Sequence, residues 1–380
     1  MHSTLDAWLT LVRLPRLGSS AKRKLLAAHG DAPAVLAAIA GGALDAHDPA
    51  LRTLARKSDK RLRSDRDWLG GSAQRRLLTI TDPDYPALLK RIPDPPLALF
   101  VDGAWELLWT AQVAIVGSRN ATPGGLALGR SFASHFAAAG LTTSSGLALG
   151  MDGAAHQGAL DAGGNTVAVL GSGIDRIYPP QHETLAGRVR ERGCLVSEYP
   201  PGAPPRAENF PQRNRIISGL SLGVLVVEAA LGSGSLITAR VAAEQGREVF
   251  AVPGSVHNPM ARGCHELIRK GAKLVETARE VLAELGPLAQ SLGAELRARL
   301  GGLNSELPER ADVRDHRIES LGPDDEDASL LAAMGHDPVA LDQLVERTGS
   351  AIPQLSSQLL RLELDGRIAS LGGARYQRLD

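Results

Sequence analysis

The chain has 380 residues, with 42 Lys+Arg balanced by 42 Asp+Glu, so it lacks the overall basic excess that marks many nucleic-acid-binding proteins. This length predicts two or three domains. The charge is uneven, because residues 281–380 hold 10 basic against 17 acidic residues. Any anion-binding site must therefore be local and formed by a few converging arginines.

Cysteine content and hydropathy exclude several further classes of protein. Two cysteines, Cys194 and Cys264, cannot form a disulfide framework or a four-ligand zinc site, and we expect buried thiols. No stretch is long and apolar enough to cross a bilayer, and the N-terminus lacks the segments of a secretory signal. We therefore expect a cytoplasmic protein without a membrane partner.

Residues 1–75 predict a small helical module of the SAM or helix-hairpin-helix kind, since apolar residues recur at helical spacing between proline and glycine breaks. The run Lys22-Arg23-Lys24 is typical of a solvated helix face, or of a contact with a nucleic-acid backbone, and the solvated face is the preferred interpretation. Residues 46–75 are charged without a clear period. Proline-rich turns in residues 79–101 predict an ordered lead-in to a sheet.

From residue 112 to about residue 277, short apolar runs alternate with amphipathic segments. This alternation predicts βα units that form an extended, Rossmann-like, doubly wound and mostly parallel sheet, which we place in a domain at residues 76–285. The candidate strands are Val113–Val116, Leu141–Ser144, Thr166–Leu170, Leu195–Ser197, Leu222–Val227, Val249–Val252 and Lys273–Val275.

The first candidate strand ends at Gly117 and brings Ser118 and Arg119 to its carboxyl end, where open α/β sheets bind ligands. Arg119 carries a donor fork that is suited to phosphate or carboxylate. Glycines follow other strands as well, for example at Gly146, and they allow backbone amides to approach an anion. The pattern predicts an anion-binding crevice at this edge of the sheet.

The segment Asn209–Ile217 combines Phe210 with Arg213, Asn214 and Arg215. Nucleic acid is the partner that uses this mixture, because guanidinium groups hold phosphates, an aromatic ring stacks on a base and an amide pairs with a base edge. Aromatic residues are scarce here, at 13 of 380, so one beside two cations stands out. The alternative is that Phe210 belongs to the core and the arginines pair with nearby glutamates.

A loop rich in glycine and serine, residues 232–239, begins another predicted helix and offers Ser235 and Thr238 as a phosphate cradle. It has no Walker lysine, and no Gly-x-Gly-x-x-Gly follows the first strand, so we expect no nucleotide cofactor. Asp152 and His156 lie four residues apart but lack a third metal ligand, and no Gly-x-Ser-x-Gly elbow occurs. We expect neither a metal site nor catalysis.

The C-terminal region begins with an acidic, irregular segment, residues 286–327, which predicts a linker. Residues 328–380 then predict three helices followed by a hairpin, which is the plan of a winged-helix-like domain. This domain holds 5 basic against 6 acidic residues, whereas a DNA-reading winged helix usually has a basic footprint. We therefore favour a role in protein contact or self-association.

Several of these segments resemble the DNA-processing protein A (DprA/Smf) family over roughly residues 80–285. The matching blocks are Val116–Arg119, Ser145–His156, Val169–Pro179, Ser197–Gly202, Asn209–Ile217 and Glu228–Gly254. The resemblance implies a non-enzymatic single-stranded DNA-binding protein, a recombination mediator of natural transformation. It also implies that the protein protects incoming strands, loads the RecA recombinase and forms a homodimer without any cofactor.

The resemblance further implies which residues bind the strand and which associate with a second copy. The residues that it implies, in one pocket, are Gly117, Ser118, Arg119, Phe210, Arg213, Asn214 and Arg215, and the glycine-containing loops add Gly146, Ser235 and Thr238 as further expected DNA-binding residues. The candidate dimer residues are Leu267, Ile268 and Leu274, which core packing explains equally well.

Two other classes of function remain alternatives at this point. The first is an enzyme, since related Rossmann-like sheets include nucleotide phosphoribohydrolases, although their Pro-Gly-Gly-x-Gly-Thr-x-x-Glu loop is not matched by Leu231–Thr238. The second is a sequence-specific regulator that acts through the winged-helix-like domain.

Overall fold

A computed structural model describes residues 3–15, 17–41, 60–299 and 325–379. Strands β1–β12 span Arg75–Thr79, Ala98–Gly103, Gln112–Gly117, Thr142–Ser145, Thr166–Leu170, Cys194–Ser197, Gly223–Val227, Glu248–Ala251, Lys273–Leu274, Val339–Ala340, Ile368–Leu371 and Arg375–Arg378. Helices α1–α15 span Thr4–Arg13, Ser19–His29, Ala32–Gly41, Lys60–Gly70, Ala87–Lys90, Pro123–Ala138, Met151–Asp161, Glu183–Arg192, Asn209–Leu220, Gly234–Glu244, Arg262–Arg269, Ala278–Arg299, Asp325–Met334, Leu341–Thr348 and Ile352–Leu364. None of the helices within these described ranges is long and apolar enough to cross a membrane.

The first nine strands form one sheet in the order β1-β2-β6-β5-β4-β3-β7-β8-β9. All neighbours from β6 to β9 are parallel, whereas β1 pairs antiparallel with β2 and β2 antiparallel with β6. The chain winds outward from β3 in one direction as far as β6 and then restarts on the other side of β3 with β7. The strand order therefore reverses between β3 and β7, which is where ligands bind in sheets of this type.

Strand β3 is central because its apolar residues feed both layers of the core. Ala114 and Val116 pack on the side of helix α9, and Val113 and Ile115 pack on the side of helix α6 with Phe132. All four strand residues are buried, as expected for a parallel strand that is covered by helices on both faces. This explains the run of apolar residues without polar alternation.

The sequence predicted the parallel strands but not the two antiparallel strands that extend the sheet. Each of the seven candidate strands overlaps one of the strands β3–β9. Strands β1 and β2 occupy the region expected to be an ordered lead-in, and Arg75 of β1 lies opposite Asp102 of β2. Asp102 is buried and forms ion pairs with Arg75 and Arg190. These ion pairs allow a charged residue at the strand end to lie inside the fold.

The N-terminal helices pack together around Trp8, Leu11 and Leu36 and reach the sheet through Leu97. In the run Lys22-Arg23-Lys24, only Lys24 has the exposed position expected of a solvated face, since Lys22 is buried and Arg23 pairs with Asp94. Part of the charged segment at residues 46–75 forms helix α4. Residues 42–59, which include the first part of that segment, lie outside the described residues.

The sequence predicted a linker from residue 286, but helix α12 continues to Arg299. Its inner face carries Leu285 and Leu292, which are buried in the core cluster that also contains Phe136. These apolar side chains hold the segment on the domain despite its acidic composition. Residues 300–324, which make up most of the rest of that predicted linker, lie outside the described residues.

The C-terminal region forms the predicted three helices and hairpin, α13–α15 with β11 and β12, and adds the short strand β10 to the hairpin. Leu344, Leu355 and Leu359 are fully buried within its own core. This unit rests on the amino end of helix α6, where the Gln377 side-chain oxygen accepts a hydrogen bond from the Gly124 amide at 3.1 Å. The Gln377 amide group also donates to the His336 carbonyl at 3.1 Å.

Candidate nucleic-acid interface

A cleft of about 770 Å³ opens at the point where the strand order reverses. The loops after β3 and β7 form two of its walls, and helix α9 forms a third. Eight of the predicted residues line it: Gly117, Ser118, Arg119, Phe210, Arg213, Asn214, Ser235 and Thr238. The structure thus gathers residues that are up to 121 positions apart in the sequence, from Gly117 to Thr238.

The loop that carries Arg119 is held in place by Glu228, which follows β7. The Ser118 amide donates to the Glu228 carbonyl at 2.7 Å, and the Glu228 carboxylate accepts from the amide and the hydroxyl of Thr122 at 2.7 and 2.6 Å. Burial raises the pKa of this carboxyl group, and the hydrogen bonds from Thr122 oppose that shift. Glu228 has a φ of 52°, so the chain turns sharply here to receive the loop.

Arg119 is exposed at the mouth of the cleft and has no ion-pair partner among the residues that the structure describes. Its guanidinium carbon lies 6.0 Å from the centre of the Phe210 ring. The neighbouring Ser118 hydroxyl accepts a hydrogen bond from the Asn120 amide at 3.1 Å, so it stabilises the loop. The guanidinium group is therefore free to meet an anion beside an aromatic face.

Phe210 is half-buried and packs against a second aromatic residue, Tyr178, at 5.5 Å between ring centres. Tyr178 lines the cleft and is 46% exposed. Tyr178 is not among the residues that were predicted from the sequence for this site. The available signal was the scarcity of aromatic residues, together with its position after the glycine-containing loop that follows β5.

Arg213 lies at the base of the cleft and is only 4% exposed. Its Nη1 donates to the backbone carbonyls of Gly146, at 2.6 Å, and Val169, while its Nε has no partner among the described residues. Burial, opposed by the Asp152 charge and reinforced by the Arg119 charge, lowers the pKa of Arg213 to about 10. Arg213 is therefore a fixed cation within the floor of the cleft.

Gly146 contributes to the site indirectly, since it does not line the cleft. A Cβ atom at this position would lie 2.3 Å from Nη1 of Arg213. Only glycine leaves room for the guanidinium group, so this residue accounts for the position of Arg213 in the fold.

The fourth wall is the amino end of helix α10, where the Ser233 hydroxyl accepts a hydrogen bond from the Ser235 amide at 3.4 Å. Ser235 and Thr238 are buried and line the cleft. A helix amino end carries partial positive charge and unpaired amides, so it favours an anion. It faces the same cleft as Arg119.

The structure places Arg215 outside this cleft, although the sequence analysis grouped it with the cleft residues. Its Nη2 donates to both carboxylate oxygens of Glu198 at 2.8 Å, and its Nε donates to Asp94 at 3.0 Å. Asp94 also pairs with Arg23 of the N-terminal helices at 2.5 Å. Arg215 thus lines a different cavity, of about 610 Å³, between those helices and the sheet.

Asp152 and His156, which were considered as a metal pair, have structural partners instead. The Asp152 carboxylate accepts from the amides of Gly146 and Ala148 at 3.1 and 3.3 Å. His156 is fully buried with Nδ1 2.7 Å from the Thr166 hydroxyl, and burial lowers the pKa of its imidazole to about 3. The described residues contain no group of three or more potential metal ligands.

The three candidate dimer residues differ in exposure. Leu274 is 51% exposed on the edge strand β9. Leu267 and Ile268 of helix α11 are half-buried and pack against the core cluster on the α9 side of the sheet. Of the three side chains, Leu274 offers the most surface to a second copy.

The extended parallel sheet, the polar cleft at its reversal point and the C-terminal three-helix unit define a Rossmann-like protein that carries a winged helix. The chain belongs to the DprA/Smf family. Residues 76–286 match the model for DNA recombination-mediator protein A, and residues 319–374 match the model for the DprA winged helix domain. The predicted family and fold class are thereby confirmed.

Two bacterial relatives support the same assignment. Protein Smf of Escherichia coli is 46% identical over 301 residues, which cover 78% of this chain and 75% of the relative. The DNA processing protein DprA of Streptococcus pneumoniae is 45% identical over 206 residues, which cover 54% of this chain and 73% of the relative.

Two solved structures are also similar. The structure of DprA from Streptococcus pneumoniae superposes with a TM-score of 0.66 at 36% identity, covering 74% of this chain and 98% of that one. The structure of DNA processing protein A from Helicobacter pylori, which was solved for its single-stranded DNA binding mode, superposes with a TM-score of 0.51 at 30% identity. It covers 55% of this chain and 95% of that one.

Proposed function

We propose that this protein binds single-stranded DNA in the cleft at the reversal point of its sheet and acts as a recombination mediator. The observation that carries the proposal is the placement of the exposed Arg119, which has no ion-pair partner in the described part of the chain, beside the Phe210–Tyr178 aromatic pair. An unpaired guanidinium group binds phosphate, and an accessible aromatic face stacks on a base. Single-stranded nucleic acid presents both groups at every nucleotide.

The cleft supports binding that does not depend on sequence. Arg119 contacts the backbone, and the amino end of helix α10 with Ser235 and Thr238 offers amides and hydroxyls to a neighbouring phosphate. Phe210 and Tyr178 accept any base, because every base has a π face. Asn214 lies on the same wall and offers an amide to the edge of a stacked base.

Family membership supports a proposal for the cellular role. We propose that the protein protects strands that enter during natural transformation and loads the RecA recombinase onto them. The family description as a recombination mediator and the single-stranded DNA binding mode named for the Helicobacter pylori relative support this role. We also propose that it acts as a homodimer, with Leu274 at the contact between copies and Leu267 and Ile268 behind it.

Arg119→Ala tests the proposal directly. We expect the variant to bind a labelled oligothymidylate several-fold more weakly than the wild type at 0.1 M salt. The slope of log affinity against log salt should also fall by about 0.7, because one phosphate contact is lost. Fluorescence anisotropy at several salt concentrations measures both quantities.

Arg240→Ala is the matched control, since Arg240 is 72% exposed outside the cleft and the substitution removes the same charge. Wild-type affinity in the control and unchanged affinity in Arg119→Ala together would contradict the proposal. Release of free base from nucleoside monophosphates is assayed in parallel. Efficient release by the wild type would favour the phosphoribohydrolase alternative.

A further inference from the structure

A second, shallower depression of about 340 Å³ lies beside the cleft. Helices α6, α7 and α8 meet around it and present two arginines, Arg130 and Arg188, together with the amide side chains of Gln157 and Gln181. None of the described side chains that line this depression is a carboxylate. Its lining is therefore positively charged or neutral throughout.

Only one turn of backbone separates the depression from the cleft. Gly150 lines the depression, and a Cβ atom there would lie 2.4 Å from the carbonyl oxygen of Ser118 and 2.5 Å from that of Arg119. Gly150 has a φ of 75°, and its lack of a side chain allows this turn to pack directly against the backbone of the loop that carries Arg119. The Gly153 amide, on the depression side, donates to the Ala148 carbonyl, on the cleft side, at 3.2 Å.

The fold fixes the two arginines on the rim of this depression. Helix α6 buries Phe132 and Phe136 against the sheet, which leaves Arg130 exposed. The Arg188 guanidinium donates to the Asp161 carboxylate at 2.7 Å, and its side chain remains 38% exposed. A single carboxylate engages only part of its five donors, so further donors are available to a phosphate.

Helix α6 also separates this surface from the C-terminal winged helix. Gly124 and Leu128 line the cavity beside the winged helix, whereas Leu126 and Arg130 line the depression. The two pairs lie on different faces of the helix, because each residue advances by about 100° around the axis. The docked winged helix therefore leaves the depression open.

We propose that the depression is an extension of the DNA track and holds the nucleotides that leave the cleft past Gly150. Arg130 and Arg188 bind successive phosphates there, and Gln157 and Gln181 contact the sugar or base edges. This inference rests on the proposed function, since it concerns the same ligand, but it adds a second set of contacts. It also requires that affinity depends on the length of the strand.

The test compares the wild type with the double variant Arg130→Gln/Arg188→Gln, using oligothymidylates from about 4 to about 16 nucleotides long. We expect equal affinity for the shortest strands that bind. For the longest strands, the variant should bind about 25-fold more weakly at 0.1 M salt, because two phosphate contacts each contribute a slope of about 0.7. The salt slope for those strands should fall by about 1.4.

Lys24→Gln/Arg63→Gln is the control, since both residues are exposed on the N-terminal helices, outside both surfaces, and the same charge is removed. If the control loses as much affinity as the variant, the loss of net charge alone explains the effect, and the inference is overturned. A wild type whose affinity does not increase with length would overturn it while leaving the proposed function intact. A wild type that binds no strand of any length would overturn both.

Discussion

Helix α9 has two sides that use arginine in opposite ways. On the cleft side, Arg213 and Asn214 share a face with Phe210 because they follow it by three and four residues. Arg215 is displaced by about 100° from Asn214 and points to the side of the N-terminal helices. Neighbouring residues in one motif therefore belong to different sites.

The partners of each arginine distinguish these sites more clearly than the residue type does. Burial would lower the pKa of Arg215, but its ion pairs with Glu198 and Asp94 outweigh burial and raise that pKa. Its charge is thereby balanced by carboxylates of the protein itself. Arg119 lacks such a partner among the described residues, so its charge is available to a ligand. Two carboxylate partners and a mostly buried side chain therefore mark Arg215 as a structural arginine.

The largest effect of a substitution is expected on the cleft side, at Arg213. Arg213→Met removes the donor to the Gly146 and Val169 carbonyls and the charge nearest to the buried Asp152. We expect the free energy of unfolding to fall by about 4 kcal/mol, because buried polar groups lose their partners. Urea denaturation followed by circular dichroism measures this change.

Arg119→Met is the informative comparison for that variant. It removes the same kind of group from the same cleft, but at an exposed position. We expect nearly unchanged unfolding with weaker DNA binding. If Arg213→Met unfolds like the wild type, the description of Arg213 as a fixed part of the cleft floor is wrong.

The sequence predicted the parallel sheet well because burial on both faces leaves a strong local signal. Strand β3 is a continuous apolar run, and the turn that follows it delivers Arg119 to the correct edge. The reversal of strand order then brings the loops after β3 and β7 together. That convergence depends on topology, but topology is itself largely determined by the βα alternation.

The features that the sequence analysis missed depend on long-range partners. Arg215 looks like a DNA ligand beside Arg213 until Asp94 and Glu198 are placed next to it. Tyr178 has no local signal that separates a cleft aromatic residue from a core one. Strands β1 and β2 are short and charged at one end, and they are stabilised by Asp102 and its arginine partners rather than by alternation.

An intermediate effect is expected on the other side of helix α9, where Lys22 lies in the cavity that Arg215 also lines. Its Nζ donates to the Val12 carbonyl at 2.9 Å, and burial lowers its pKa from 10.5 to about 8, against the opposing charge of Glu198. Below pH 8 both the folded and the unfolded chain bind the proton, so the full cost of burial is present. Between pH 8 and 10.5 the folded state releases the proton first.

We therefore expect the contribution of Lys22 to stability to increase by about 3 kcal/mol as the pH rises from 8 to 10.5. The measurement is urea denaturation monitored by fluorescence of the buried Trp8, at pH 7.5 and about pH 10. Lys22→Met serves as the reference, because it retains the other titrating groups. Equal pH dependence in both proteins would mean that Lys22 does not carry this effect.

The smallest and most selective effect is expected for Arg215→Ala. The variant loses hydrogen bonds to Glu198 and Asp94, so the free energy of unfolding should fall by about 2 kcal/mol. Because Arg215 lies outside the cleft, the affinity for oligothymidylate should stay within about twofold of the wild type. Hydrogen exchange in helices α1–α3 should increase, because Asp94 then pairs with Arg23 alone and no longer joins it to helix α9.

Arg119→Ala provides the mirror image of this result, with weaker DNA binding and unchanged exchange in those helices. The two variants together test whether helix α9 really separates binding from docking. A loss of affinity in Arg215→Ala as large as that in Arg119→Ala would return Arg215 to the DNA-binding surface. The ion pairs with Glu198 and Asp94 would then have to open when the strand binds, because they occupy Nε and Nη2 of Arg215 and the remaining Nη1 is buried.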